Sequence, residues 1–316
     1  MAHAPCPDFN SLRDLCVPGA LWRPIVLKLF NHKIRNEPQR SRKDILDCFF
    51  RSETGRNACP TLMTRRRFYA PPSAFTPGID SVHLEADEAR HLRDVLRLKL
   101  GDEVYVFDGA GKEFQCRVEE SRRDAAQLKV ISEVKPAHPE SPLRLTLAVA
   151  LLKGEKFDLV VQKATELGVA RLVPVITKHA DIRLRDESDA SKRVARWQRI
   201  ALEAAKQSGR AVVPQVDSPV AFGSLIQTAA SEGAIPCLMF SEREGQSLRE
   251  TAKNLPAEVL RITALVGSEG GWANEELEAA RDAGWAIVTL GGRTLRAETA
   301  AITVALLLQH RYGDLV

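Results

Sequence analysis

The chain has 316 residues, 44% of them hydrophobic and 27% charged, which excludes a fibrous or globally disordered protein. That length exceeds the roughly 100 to 200 residues of a single domain, so two compact units are expected, and a formal net charge of +4 permits a polyanionic partner without requiring one. No apolar run reaches the roughly 18 residues needed to span a bilayer, so no membrane association is expected, and six cysteines without a CxxC pair or zinc-type spacing argue for a reducing cytoplasm and against a metal site.

In chain order, residues 1–62 lack a sustained hydrophobic period and match neither a secretory signal nor a transit peptide. They read as an atypical, poorly ordered and non-essential extension that ends before Met63. Residues 63–139 hold short β-type runs, RFYA, SVHL, EVYVFDG, EFQCRVEE and AQLKVISEV, which fit a small β-barrel. One helix, over residues 86–98, interrupts them and sets Ala89, Leu92, Val95 and Leu96 on one face. Pro136, Pro139 and Pro142 mark a linker, because proline holds itself and its predecessor extended.

A second domain is expected over residues 143–316, where strands and helices alternate as in a parallel α/β sheet. LRLTLAVALL reads as a buried strand, residues 156–167 as a helix with Phe157, Val160, Val161, Ala164 and Leu167 on one stripe, and RLVPVI as the next strand. A long helix over residues 191–208 follows, with Val194, Trp197, Ala201, Ala204 and Ala205 on its packing side. Three more strands, IPCLMF, ITALVG and AIVTL, complete the sheet, with helices over residues 274–283 and 299–310.

Two of these strands run directly into glycine. ALVGSEGGWANEEL passes from an apolar strand through Gly267, Gly270 and Gly271 into a helix, and TLGGRTLRAET does the same through Gly291 and Gly292. Taken alone, a glycine cluster of this kind reads as a tight turn before it reads as a pocket. Together, on strands taken as neighbours, they bring backbone from two sides to one sheet edge, the usual place for a ligand cleft. Neither GxxxxGK[ST] nor GxGxxG with a downstream ribose-binding acid is present, which disfavours phosphate-rich cofactors. An adenosine-like, cationic, phosphate-free cofactor suits glycine loops accompanied by Glu269 and Glu298, and S-adenosylmethionine has those properties.

HLRDVLRLKLGDEVYVFDG, QKATELGV, RWQRIALEAAKQSGR, VGSEGGW and LGGRTLRAETAA occur in that order, and together they resemble the ribosomal RNA small-subunit methyltransferase E family over residues 65–315. The resemblance implies a SPOUT-type α/β domain with a C-terminal trefoil knot, preceded by a PUA-like RNA-binding β-barrel. It also implies a homodimer, and methylation of N3 of one uridine in 16S ribosomal RNA or the small ribosomal subunit, a step of rRNA processing and ribosome biogenesis. The family usually carries proline where this chain has Ser268, so a less rigid first loop is expected.

Carried over residue by residue, the cofactor positions are Leu265, Gly267, Gly270, Leu290, Gly291, Leu295, Arg296 and Thr299, with Ser241 and Glu242 on the rim. Methyl transfer to an imide nitrogen needs charge stabilisation and a proton acceptor, roles that fall to Arg296 and Glu298 and that the two residues can exchange. The competing reading makes them a helix-start ion pair, with Glu298 favoured by the macrodipole. Arg65, Arg66, Arg67, His91, Arg97, Lys192, Arg196 and Arg199 are the RNA-contact candidates, weighed against plain solvated charge. Trp197 and Trp272 are assigned to packing. The alternative function is a non-catalytic RNA-binding ribosome assembly factor on the same fold, and a nucleotide-dependent dehydrogenase is the weaker rival.

Overall fold

Alternating apolar residues after Arg67 build the first sheet. The computed structural model describes residues 65–316 apart from 181, 183, 232–234, 257 and 316, so the expected extension over residues 1–62 lies outside the described residues. Strands β1 (Arg67–Tyr69), β2 (Ser81–Leu84), β3 (Glu103–Phe107), β4 (Glu113–Ser121) and β5 (Ala126–Val134) pair in the order β1-β3-β4-β5-β2. All pairings are antiparallel except β1 with β3. Period-2 alternation sends Phe68, Val82, Leu84, Val104, Val106, Phe114, Cys116, Val118 and Leu128 into one core.

The helix expected over residues 86–98 is shorter. Only α1 (Ala86–Arg90) is α-helical, and residues His91–Val95 widen into a π-turn in which Leu96 N–H donates to His91 O. An i→i+5 turn rotates the following side chains off the helical stripe. Ala89 and Leu92 are therefore buried as expected, while Val95 is 65% and Leu96 38% exposed.

Leu143 onward builds the second sheet. Its strands are β6 (Arg144–Ala150), β7 (Arg171–Ile176), β8 (Gln215–Val216), β9 (Val220–Ala221), β10 (Cys237–Phe240), β11 (Gln246–Ser247), β12 (Arg261–Val266) and β13 (Ala286–Thr289). They are all parallel, in the order β11-β13-β10-β12-β6-β7-β8, with β9 also on β7.

A sheet buried on both faces needs helices on both. Leu145, Leu147 and Val149 of β6 and Ala264 and Val266 of β12 face the side covered by α2 (Lys156–Glu166), α3 (Glu187–Ser208) and α7 (Ala297–Tyr312). Ala148, Met239 and Leu265 face the side covered by α4 (Phe222–Ser231) and α6 (Asn274–Asp282); a short helix, α5 (Leu248–Thr251), precedes β12. Helix α3 begins four residues before the expected start, because the Asp186 carboxylate caps it by accepting from Asp189 N–H at 2.8 Å. Trp197 is buried, 4.3 Å from the Phe157 ring, and its Nε1–H donates to Asp158 at 3.1 Å.

The two sheets are clasped by buried charge. Glu113, fully buried, accepts from Arg65 at 3.0 Å, from Arg67 at 3.1 Å and from Ala137 N–H at 3.1 Å. Arg67 also donates to the carbonyls of Lys206 and Arg210 at the end of α3 and stacks over the Phe107 ring. Arg210 holds Glu140 of the linker and the Thr165 and Val169 carbonyls. Lys206 pairs with Glu88 of α1; burial pulls its pKa down, but Glu88 and Glu203 outweigh that and hold it above the usual lysine value.

Candidate functional site

Register aligns the sheet edge that matters. Phe240 of β10 lies beside Val266 of β12 on one side and Val288 of β13 on the other, so the chain leaves all three strands at one level. The two glycine loops are thus not on adjacent strands, as their closeness in sequence suggests. Strand β10 separates β12 from β13, and its own outgoing segment joins the loops. Residues 241–243, 267–271 and 289–295 surround a cavity of about 550 Å³ outside the carboxyl ends of the parallel strands.

Different glycines serve different needs. At Gly270 a Cβ would fall 2.8 Å from the Cβ of His179 and 3.0 Å from its carbonyl oxygen, so only glycine permits the approach of this loop to the turn after β7. Gly291 and Gly292 have open space around them, but φ values of +68° and +72° require their conformational freedom.

The first loop is tied on several sides. Ser268 Oγ–H donates to the His179 carbonyl at 3.1 Å, Lys156 at the start of α2 pairs with Glu269, and Arg243 donates to the Trp272 carbonyl while pairing with Glu242 at 3.3 Å. Beyond the loop, Glu276 in the first turn of α6 accepts from Ala273 N–H at 3.0 Å and from Lys178 N–H at 2.8 Å. Its neighbour Glu275 pairs with Lys178, and its own backbone N–H together with Lys178 holds its carboxyl below the usual glutamate value.

Of the cofactor candidates, Gly267, Gly270, Leu290, Gly291 and Leu295 line the cavity. The Leu265 side chain does not. Strand alternation turns it to the opposite face, where it packs in one cluster with Trp272 and Phe222. Trp272 is likewise core, 1% exposed, with Nε1–H donating to Phe240 O at 2.7 Å. Arg296 and Thr299 are exposed and flank, without lining, a wall that includes Leu295, Ala297 and Ala300. Arg296 is the N-cap of α7, and Glu298 in its first turn is 9% exposed with an Oε2 that has no hydrogen-bond partner. Ser241 and Glu242 line the rim. His179, Arg243, Arg293 and Thr294 also line the cavity and carried no signal in the sequence beyond the closeness of the last two to Gly292.

The RNA-contact candidates divide. Arg67 is corrected: its guanidinium is consumed by Glu113 and two carbonyls inside the clasp, with the side chain 7% exposed. Arg65 shares Glu113, and Arg196 is bound to Asp158. Arg66, His91, Arg97, Lys192 and Arg199 remain exposed, Arg97 with a left-handed φ of 52° directly after the π-turn.

Comparison with known proteins follows the same lines. A model described as an RNA methyltransferase domain matches residues 139–309, and one described as an RNA methyltransferase PUA domain matches residues 84–131. The chain is 35% identical over 229 residues to the ribosomal RNA small subunit methyltransferase E of Synechocystis, covering 72% of this chain and 71% of the relative. It is 29% identical to the protein of that name from Bacillus subtilis, over 69% of this chain and 86% of the relative. Among solved structures it is similar to the Neisseria gonorrhoeae ribosomal RNA small subunit methyltransferase E bound to S-adenosylmethionine, with a TM-score of 0.70 and 33% identity over 80% of this chain and all of that one. A Legionella pneumophila methyltransferase in complex with the same cofactor gives 0.70 and 30% over 79% and 99%.

Proposed function

The chain belongs to the ribosomal RNA small subunit methyltransferase E family, and from that premise we propose that it transfers the methyl group of S-adenosylmethionine to N3 of a uridine in 16S ribosomal RNA. The observation that carries the proposal is the convergence of both glycine loops and the end of β10 on one cavity of about 550 Å³. The lining suits this cofactor: loop backbone at two glycine motifs for an adenosine and an amino acid, with the Glu242 and Glu269 carboxylates, paired to Arg243 and Lys156, at its edge. When bound, the cofactor supplies an electrophilic methyl group.

The chain's own residues do the rest. Gly267, Gly270, Leu290, Gly291 and Leu295 hold and orient the cofactor, with Arg296 and Thr299 at the start of α7 beside them. Arg296 offers its guanidinium to a carbonyl oxygen of the uracil, favouring the imidate. Glu298, which lies next to the lining residue Ala297 without itself lining the cavity and whose buried Oε2 has no hydrogen-bond partner, is the acceptor assigned to the N3 proton. The exposed side chains of Arg66, His91, Arg97, Lys192 and Arg199 are placed to meet RNA.

A homodimer is part of the same reading, supported by Leu159 of α2 and Leu306 of α7, which are 40% and 45% exposed on helices that pack together. So is a C-terminal trefoil knot, in keeping with β13 lying beyond β10 instead of beside β12. No helix among the described residues is long and apolar enough to cross a membrane, and we assign the reaction to the cytoplasm, during ribosome biogenesis.

Mapping N3-methyluridine in 16S ribosomal RNA from cells with and without this protein tests the proposal. One modified position should disappear with the protein. An unchanged profile removes the substrate, and a full chain that takes up no S-adenosylmethionine in calorimetry would leave an RNA-binding assembly factor in its place.

A further inference from the structure

The first glycine loop and the turn at residues 177–180 touch at two independent points. Ser268 Oγ–H donates to the His179 carbonyl at 3.1 Å, and Gly270 packs so close to the same residue that a Cβ there would meet His179 Cβ at 2.8 Å. The turn is gripped from its other side too, since Lys178 N–H donates to Glu276 at 2.8 Å and Lys178 Nζ to Glu275 at 3.1 Å. Both His179 and Ser268 line the cavity. The turn is a wall of the cofactor site, reached from β7, a strand the glycine motifs do not touch.

We infer that Ser268 is a positioning residue for the cofactor, acting through His179: its hydroxyl holds the first glycine loop against the turn, so that the loop backbone is in place before the ligand arrives. The inference rests on the reading of the cavity as an S-adenosylmethionine site. Gly270 alone cannot do this. A contact without a side chain sets how near the loop can come but supplies no directional bond, and the only side-chain hydrogen bond described between loop and turn is that of Ser268. The bond is exposed to solvent, so water replaces it readily when the chain unfolds and its share of global stability is small. Its effect falls on the local order of the loop, and hence on affinity.

Three outcomes are open to calorimetric titration of S-adenosylmethionine into the full chain. The expected one is a dissociation constant about 5-fold higher for Ser268→Ala, the worth of one neutral hydrogen bond, with an unchanged melting temperature. Ser268→Thr, which keeps the hydroxyl, should restore the wild-type value, and amide exchange across residues 177–180 should quicken in Ser268→Ala alone. Equal affinities for Ser268→Ala and wild type overturn the inference while leaving the cofactor reading intact. An absence of binding by the wild-type chain removes the cofactor reading itself.

Discussion

Arg67→Met tests whether the two sheets depend on their buried clasp. The substitution keeps an aliphatic side chain against Phe107 but removes the guanidinium that Glu113 meets at 3.1 Å, with side chains 7% and 0% exposed. Removing one partner of a buried pair costs about 3 to 5 kcal/mol, because the other charge stays behind without compensation. Here Arg65 at 3.0 Å and Ala137 N–H at 3.1 Å still serve Glu113, so the lower end, about 3 kcal/mol, is expected. At roughly 2 to 4 °C per kcal/mol for a unit of this size, the melting temperature should fall by about 6 to 12 °C. Differential scanning calorimetry on wild type, Arg67→Met, Glu113→Gln and the double variant closes the cycle, and the double variant should lose less than the two single losses added. A fall below about 1 °C for Arg67→Met, or strict additivity in the double variant, would refute the clasp as an energetic unit.

Other expectations follow from the site and the core. Gly270→Ala drives a methyl group into His179, and at an overpacking cost of about 1 to 3 kcal/mol the cofactor dissociation constant should rise about 10-fold or more; an unchanged value would mean the loop has room to shift. Glu298→Gln keeps the shape of the first turn of α7 and removes the proton acceptor, so single-turnover methylation should slow by about 100-fold or more at unchanged cofactor affinity; full turnover assigns the proton elsewhere. Cys116 is fully buried, and burial pushes its thiol up to about 12, so alkylation mapped by mass spectrometry at pH 8 should leave it unlabelled until the chain is unfolded. The same shift gives a sign. Above the ordinary thiol value of 9.0 the unfolded chain loses this proton first, so Cys116 lowers stability as pH rises toward 12, by up to about 1.4 kcal/mol per pH unit.

What was legible along the chain was what is local. The glycines at 267, 270 and 291 stand between a strand and a helix, where backbone exposure follows from short-range pattern alone, and all three line the cavity. The stripe of α2 and the end of α3 at residue 208 are legible for the same reason. Four things were not. The insertion of β10 between the glycine-loop strands is a matter of sheet order, which no periodicity encodes. The burial of Arg67 depends on Glu113, 46 residues away, and a run of three arginines otherwise reads as solvated surface. Val95 fits a helical stripe perfectly well until the turn widens at His91–Val95, so the face it occupies is decided by a hydrogen-bond pattern instead of a spacing. His179 reaches the cavity only because Gly270 leaves it space, a pairing across 91 positions of chain with no motif at the histidine end.

The placement of β13 on the far side of β10 also has a meaning for how the protein is made. One wall of the cavity, Thr289 to Leu295 with Ala297 and Ala300, runs on from β13, and β13 docks on β10, which precedes it in the chain. Synthesis proceeds from the N-terminus, so the small sheet and most of the large one can assemble while the cavity is still open on one side.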